Sequence, residues 1–273
     1  MRKKIFLSCF ALAVAANVLA QSKPKNTVGL TLGWQNFKMA DQHASPLQYG
    51  TNAIFPRVGL SYKHQKNTSF YEIKVSGAKG NLNPAKFGAR TYGTKWSNTD
   101  SFQYQIASAF IHADIEASYY RNITSLSTEN TQYWVGGKLN ESAYYGDEVA
   151  NFPWMLNVLD LSPSLAVDYS PSKQHQLGIK VDLGAVGLVT RAVYSIFPKS
   201  NKDKNVPAYF KQGTKLASVN RYQKVQFQLE YKYLASKHFE IGAAYRLKWM
   251  HYNYPKSLKA LDKQFDIKLA YTY

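Results

Sequence analysis

From Thr27 to Tyr273 the chain repeatedly alternates apolar and polar residues, and the two parities differ in kind. In the closing QFDIKLAYTY, Phe265, Ile267, Leu269, Tyr271 and Tyr273 share one parity, and Gln264, Asp266, Lys268, Ala270 and Thr272 share the other. Period two marks a strand whose faces meet different surroundings. A soluble β-sandwich alternates too. Here, however, one parity is built of Leu, Ile, Val, Tyr and Trp while the other carries charges of both signs. A sandwich core cannot be built from the second set while water wets the first. The pattern therefore predicts an all-β chain closed into an antiparallel up-and-down transmembrane β-barrel, lipid outside and charge inside.

Ten segments carry the pattern, which sets the expected strand number at about ten, within eight to twelve. They are TVGLTLGWQ, AIFPRVGLSYKH, SFYEIKVSG, QYQIASAFIHADIEASYY, QYWVGGKLN, NVLDLSPSLAVDYS, HQLGIKVDLGAVGLVTRAVYS, KVQFQLEYKYL, FEIGAAYRLKWM and QFDIKLAYTY. QYWVGGKLN is the least regular, being short and holding two glycines. If the first segment runs outward, the turns on the inner side are HQKNTS, NITSLSTENTQ, PSKQ and ASK, all short except the second. The outer connections are then longer and include NESAYYGDEVANFPW and HYNYPKSLKALD, which are expected to be loops. Aromatics supply a second mark. Trp34, Tyr62, Tyr119, Tyr169, Tyr233, Trp249 and Tyr273 close the apolar rows, where an amphipathic ring suits the membrane–water interface.

The first residues bound where the chain acts. Arg2, Lys3 and Lys4 precede an apolar stretch too short to span a bilayer, ending at Ala20 before Gln21. That is the layout of a secretory signal peptide over residues 1–20, leaving 21–273 as the barrel domain. The only cysteine, Cys9, lies inside the leader, so the mature chain offers neither a disulfide scaffold nor a thiolate metal site. Without Arg2, Lys3 and Lys4 the net charge is still +14. Export makes nucleic acid an improbable target for that charge. No later apolar run is long enough for a transmembrane helix.

The signal peptide through Ala20 and the terminal Phe265-x-Ile267-x-Leu269-x-Tyr271-x-Tyr273 row give the chain its resemblance to the bacterial outer-membrane β-barrel class of Gram-negative bacteria. The basic, Tyr-rich composition and Gln21 are similar to exported proteins of Bacteroidota. The resemblance covers the whole mature chain in pattern and names a class, not a family. It implies an outer-membrane location, a lipid environment, and recognition of the terminal row by the barrel-assembly machinery.

The expected inward charges are Glu72, Lys74, Asp114, Glu116, Asp160, Lys180, Asp182, Glu230, Lys232, Arg246, Lys248, Asp266 and Lys268. Acids and bases nearly balance, as they must where an unpaired buried charge costs about 3–5 kcal/mol. A salt-bridge network filling a narrow lumen is expected first, and a charged pore for small solutes second. His112, Asp114 and Glu116 share one wall of IHADIEA, and a histidine with two carboxylates can activate water. Ten-stranded outer-membrane proteases use aspartates with a histidine near the external rim, whereas His112 is expected deep in a descending strand. A non-enzymatic barrel, structural or accessory in an envelope complex or surface-binding, is therefore read ahead of a barrel hydrolase. No nucleotide loop or zinc motif occurs, so neither cofactor nor metal is expected. Excess positive charge lies in the loops. Lys199, Lys202, Lys204, Lys211, Lys215 and Arg221 in one outer loop suit lipopolysaccharide or an acidic glycan, and other outer-membrane proteins are further candidate partners.

Overall fold

A computed structural model describes residues 25–51, 55–95, 101–106, 108–149, 152–191 and 205–273. The expected signal peptide lies outside the described residues. The elements are β1 (Lys25–Asp41), β2 (Gln48–Thr51), β3 (Phe55–Gln65), β4 (Ser69–Pro84), β5 (Arg90–Lys95), β6 (Ser101–Ile106), β7 (Ala109–Asn122), β8 (Thr131–Val149) and β9 (Phe152–Tyr169). They continue with β10 (His175–Gly184), β11 (Val186–Arg191), helix α1 (Asn205–Gly213), β12 (Thr214–Ser218), β13 (Tyr222–Leu234), β14 (Phe239–Asn253) and β15 (Ser257–Thr272).

Among the described residues ten staves close one barrel: β1, β3, β4, β7, β8, β9, β10, β13, β14 and β15, each antiparallel to the stave before it. The last stave returns to the first, with register running from Thr27↔Thr272 to Asp41↔Leu258. Three short strands lengthen the wall at the long-loop end. β2 sits between β1 and β4 above β3, β11 continues β10, and β12 pairs with β11 above β13. The expected strand number and closure both hold.

Within the belt the outward row is exposed, as Val28, Leu30, Leu32 and Trp34 on β1 and Phe265, Ile267, Leu269 and Tyr271 on β15 illustrate. Beyond Trp34 the apolar row of the same strand moves from the outer face to the inner one. Phe37 and Met39 point inward and are buried, while Lys38 is exposed outside. The barrel thus leaves the bilayer and goes on as a water-exposed cylinder with an apolar core. Gln35 to Asp41 adds about 23 Å of strand at the usual rise per residue. That upper core contains Phe37, Phe55, Phe110, Tyr144, Trp154 and Leu258.

This change of sides corrects two expected loops. HYNYPKSLKALD is mostly strand, with β14 and β15 paired out to Asn253↔Ser257 around a turn at Tyr254–Lys256. NESAYYGDEVANFPW is likewise largely paired between β8 and β9, to Val149↔Phe152. Both stretches look like loops only if every strand must be apolar outside. The least regular segment, QYWVGGKLN, belongs to β8, a strand of 19 residues. The segment expected to start at Gln103 is instead divided. Ser101–Ile106 pairs with Arg90–Lys95 as a separate hairpin, and the stave starts at Ala109. The apolar parity shifts there, from Phe102, Tyr104 and Ile106 to Ala109, Ile111 and Ile115, which marks the division in the sequence as well. The long inner turn after Asn122 is a true loop, with the Ile123 N–H donating to Tyr133 O (2.8 Å) and Ser127 Oγ donating to Ile123 O (2.9 Å).

Candidate functional site

The inner wall of β1 is small, with Gly29, Thr31 and Gly33 between the long side chains of β3 and β15. Arg57 of β3 and Asp266 of β15 face each other across Gly33, and Arg57 Nη1 donates to both carboxylate oxygens at 2.9 and 2.8 Å. A Cβ at position 33 would collide with that carboxylate, so the glycine is what lets the pair cross over β1. Arg57 Nη2 also donates to Ser76 Oγ at 2.5 Å.

Further pairs span the lumen. Arg246 Nη1 donates to Glu116 Oε1 (2.9 Å), and Lys248 Nζ donates to Asp114 Oδ1 (3.1 Å) and Ser142 Oγ (3.2 Å). Lys224 Nζ bridges both oxygens of Asp160 at 2.8 Å, and Lys138 pairs with Asp182. Nearer the short-turn end, Lys180 lies 3.4 Å from Glu72 and 3.8 Å from Glu230, with Lys74–Glu72 at 3.3 Å, Lys232–Glu230 at 3.7 Å and Lys268–Glu240 at 3.8 Å. Every expected lumenal charge therefore faces inward and has an opposite partner, and all are buried except the half-buried Lys74, Lys180 and Lys268. Arg57, Lys138, Lys224, Glu240 and Asp262 were absent from the expected set. Parity alone could have found Arg57. Lys138 lies in the least regular segment and Asp262 in a stretch read as a loop.

His112 and Asp114 do come together, with Nε2 and Oδ2 3.1 Å apart. Glu116 does not join them, being paired with Arg246. The imidazole stacks on Tyr144 with centroids 4.3 Å apart and planes 4° from parallel, and the Gln35 amide nitrogen lies 2.7 Å from Nδ1. Gln35 also donates to Asp262 Oδ2 at 2.9 Å. The group is not deep, contrary to expectation. Gln35 follows Trp34, so His112 sits at the outer edge of the lipid belt, just under the upper aromatic core. β7 runs antiparallel to β1, but it is entered at Ala109, which puts His112 near its start. His112 is 1% exposed. The described residues therefore close its ring off from solvent.

Both ends of the charge layer are capped by rings. At the short-turn end Phe70 stacks on Tyr120 (4.8 Å) and meets Trp134 edge-on (5.0 Å), with Lys63 Nζ 4.2 Å above Phe70. At the other end Phe37 stacks on Phe110 (4.8 Å) and Tyr144 (5.2 Å). Above this, buried Asp41 accepts from Trp154 Nε1 (2.8 Å), the His43 N–H (2.9 Å) and the Ala44 N–H (3.1 Å), and pairs with Arg191. Arg191 Nη1 donates onward to Tyr254 O (3.0 Å) and Lys256 O (2.6 Å), tying β1, β9, β11 and the β14–β15 turn across the mouth. Outside, α1 is held to β11 by the Tyr209 hydroxyl donating to Thr190 O at 2.7 Å, and burial pushes that hydroxyl's pKa up. A polar cavity of about 40 Å³ lies among Arg57, Lys74, Glu116, Glu230, Arg246 and Lys268. It is room for about one to three waters.

Of the expected anion-binding residues, Lys211, Lys215 and Arg221 are exposed at the long-loop end, while Lys199, Lys202 and Lys204 lie outside the described residues. The terminal row Phe265, Ile267, Leu269, Tyr271 and Tyr273 is exposed, with Phe265 stacked on Trp34 at 6.0 Å.

Closure, an apolar outer belt and a charged lumen define an outer-membrane β-barrel. No protein-family model matches the sequence, and no curated protein matches it. Among solved structures, the outer membrane protease OmpT from Escherichia coli is similar with a TM-score of 0.52 at 9% identity, over 92% of this chain and 96% of that one. Neisserial surface protein A is similar at 0.35 and 10%, covering 91% and 97%, and Ail of Yersinia pestis at 0.31 and 7%, covering 91% and 99%. At 9% identity the OmpT likeness is one of fold alone.

Proposed function

We propose that this protein is a sealed outer-membrane barrel that works through its outer surfaces, as a structural or accessory component of an envelope complex or a surface-binding protein. One observation carries the reading: each of the thirteen expected lumenal charges has an opposite partner, and ring clusters stand at both ends of that layer. A channel needs a continuous polar path, and ring clusters stand across the lumen at both ends of the charge layer. A hydrolase needs substrate at its base, and His112 lies under Phe37, Phe110 and Tyr144. In this reading residues 1–20 direct export, the Phe265–Tyr273 row engages the assembly machinery, and Lys211, Lys215 and Arg221 face an acidic partner such as a glycan. Planar-bilayer recording on the refolded barrel tests it. The expected trace is flat, and steady ohmic current from single insertions would overturn the sealed lumen in favour of a narrow channel. Loss of a hydrolytic activity in His112→Ala would overturn the non-enzymatic reading.

A further inference from the structure

Just beyond the lipid belt, the outer wall is not uniform around the barrel. On β15, Lys263 stands one rung beyond Phe265, and Lys259 lies two rungs further. On β1, Lys38 faces Leu261 and is therefore the diagonal neighbour of both lysines, about 7–8 Å away across the strand pair. On β14, half-buried His251 faces Lys259, and Trp249 faces Leu261. Lys38, Lys259 and Lys263 are exposed and make no ion pair among the described residues. The described carboxylates of these strands at this height, Asp41 and Asp262, point inward and are buried. On the far wall, by contrast, β8 turns Glu141 outward, hydrogen-bonded by Asn157 Nδ2 at 3.1 Å.

The rings fix the height of the lysines. Trp34 and Phe265 stack 6.0 Å apart at the edge of the belt, and exposed Tyr245 faces Phe265 on β14. Rings settle at the level where acyl chain gives way to headgroup, so ammonium groups one to three rungs above them stand at the level of headgroup phosphates. Lysine suits that place, since its stem lies on apolar wall while the charge reaches polar groups.

We propose that the wall formed by β14, β15 and β1 is a binding site for a phosphorylated lipid of the outer leaflet. Lys38, Lys259 and Lys263 hold its phosphate, and its acyl chains lie against Trp34, Phe265 and Tyr245. The site rests on the membrane-spanning fold and not on the sealed lumen, so a conducting barrel would leave it standing. It is separate from Lys211 on α1 and Lys215 on β12.

The test uses the full mature chain refolded in neutral detergent, with bis-phosphorylated lipid A as the probe and its enzymatically dephosphorylated form as the comparison. Native mass spectrometry or thermophoresis reads the affinity. The variant Lys38→Gln/Lys259→Gln/Lys263→Gln is expected to lose about 10- to 100-fold for the phosphorylated probe. Lys66→Gln/Lys173→Gln/Lys237→Gln, which removes the same charge from exposed positions at the short-turn end, is expected to stay within about twofold. Dephosphorylation should erase the difference between wild type and the first variant, and millimolar inorganic phosphate should not displace the lipid. Equal loss in both variants would overturn the site in favour of diffuse charge attraction, as would wild-type affinity in the first variant. Displacement by inorganic phosphate would overturn the lipid assignment in favour of a free-anion site. Because all the substituted side chains lie outside the barrel, gel mobility of the folded form should be unchanged.

Discussion

The lower and upper halves of the barrel use the same staves and inverse chemistry. Below Trp34, the inward residues of β1 are Gly29, Thr31 and Gly33 and the outward ones Val28, Leu30 and Leu32; above it, Phe37 and Met39 turn in and Lys38 turns out. β14 makes the same change, from inward Arg246 and Lys248 to inward Met250 and Tyr252. Nothing in the hydrogen-bond ladder marks the switch, since β1 and β15 pair in one unbroken register through it. What changes is the solvent outside. Where lipid wets the wall, burying apolar groups inside gains little, and the lumen is filled by charges that satisfy one another. Where water wets the wall, the hydrophobic effect returns and fills the lumen with rings.

That contrast can be broken at either level. The largest expected effect is from Phe110→Ala in the upper core, a loss of about 3–5 kcal/mol in denaturant unfolding from micelles, whereas Phe227→Ala on the lipid face should cost far less because detergent or lipid fills the space. In the charge layer, Arg246→Met should cost about 3–5 kcal/mol by leaving Glu116 unpaired, and adding Glu116→Leu should recover most of it. If the double variant is as unstable as the single one, the layer is held by something other than pairing. Leu30→Lys, in the middle of the belt, should cost about 2–4 kcal/mol; a neutral result would move the bilayer away from this row. Trp154→Phe, which removes one donor from Asp41 while keeping a ring in the upper core, should cost about 1–3 kcal/mol and raise amide exchange near the mouth.

Much of the lower half was legible in the chain. Alternation with a lipid-compatible parity located ten staves and put the charges from Glu72 to Lys268 on the inside, because a strand admits only two faces. The upper half was not legible by the same rule. Tyr144, Trp154, Tyr252 and Leu258 alternate just as well, but with the opposite sense, and so their segments read as loops. His112 illustrates a second limit. Its neighbours Asp114 and Glu116 were correctly placed on one wall, yet Gln35 and Tyr144, which hold and cover the ring, come from strands remote in sequence.

By itself the sequence determined the strand period, the wall each side chain faces within the belt, and the near balance of charge in the lumen. All of these follow from local geometry and from the cost of an unpaired buried ion. Only the tertiary structure decided which cation meets which anion. Arg57 reaches Asp266 over Gly33, and Arg246 reaches Glu116 across the lumen, because barrel closure and stagger set which rungs stand level. It also decided that the staves outlast the membrane, since their registers carry on into water, where the same alternation must bury the other kind of residue.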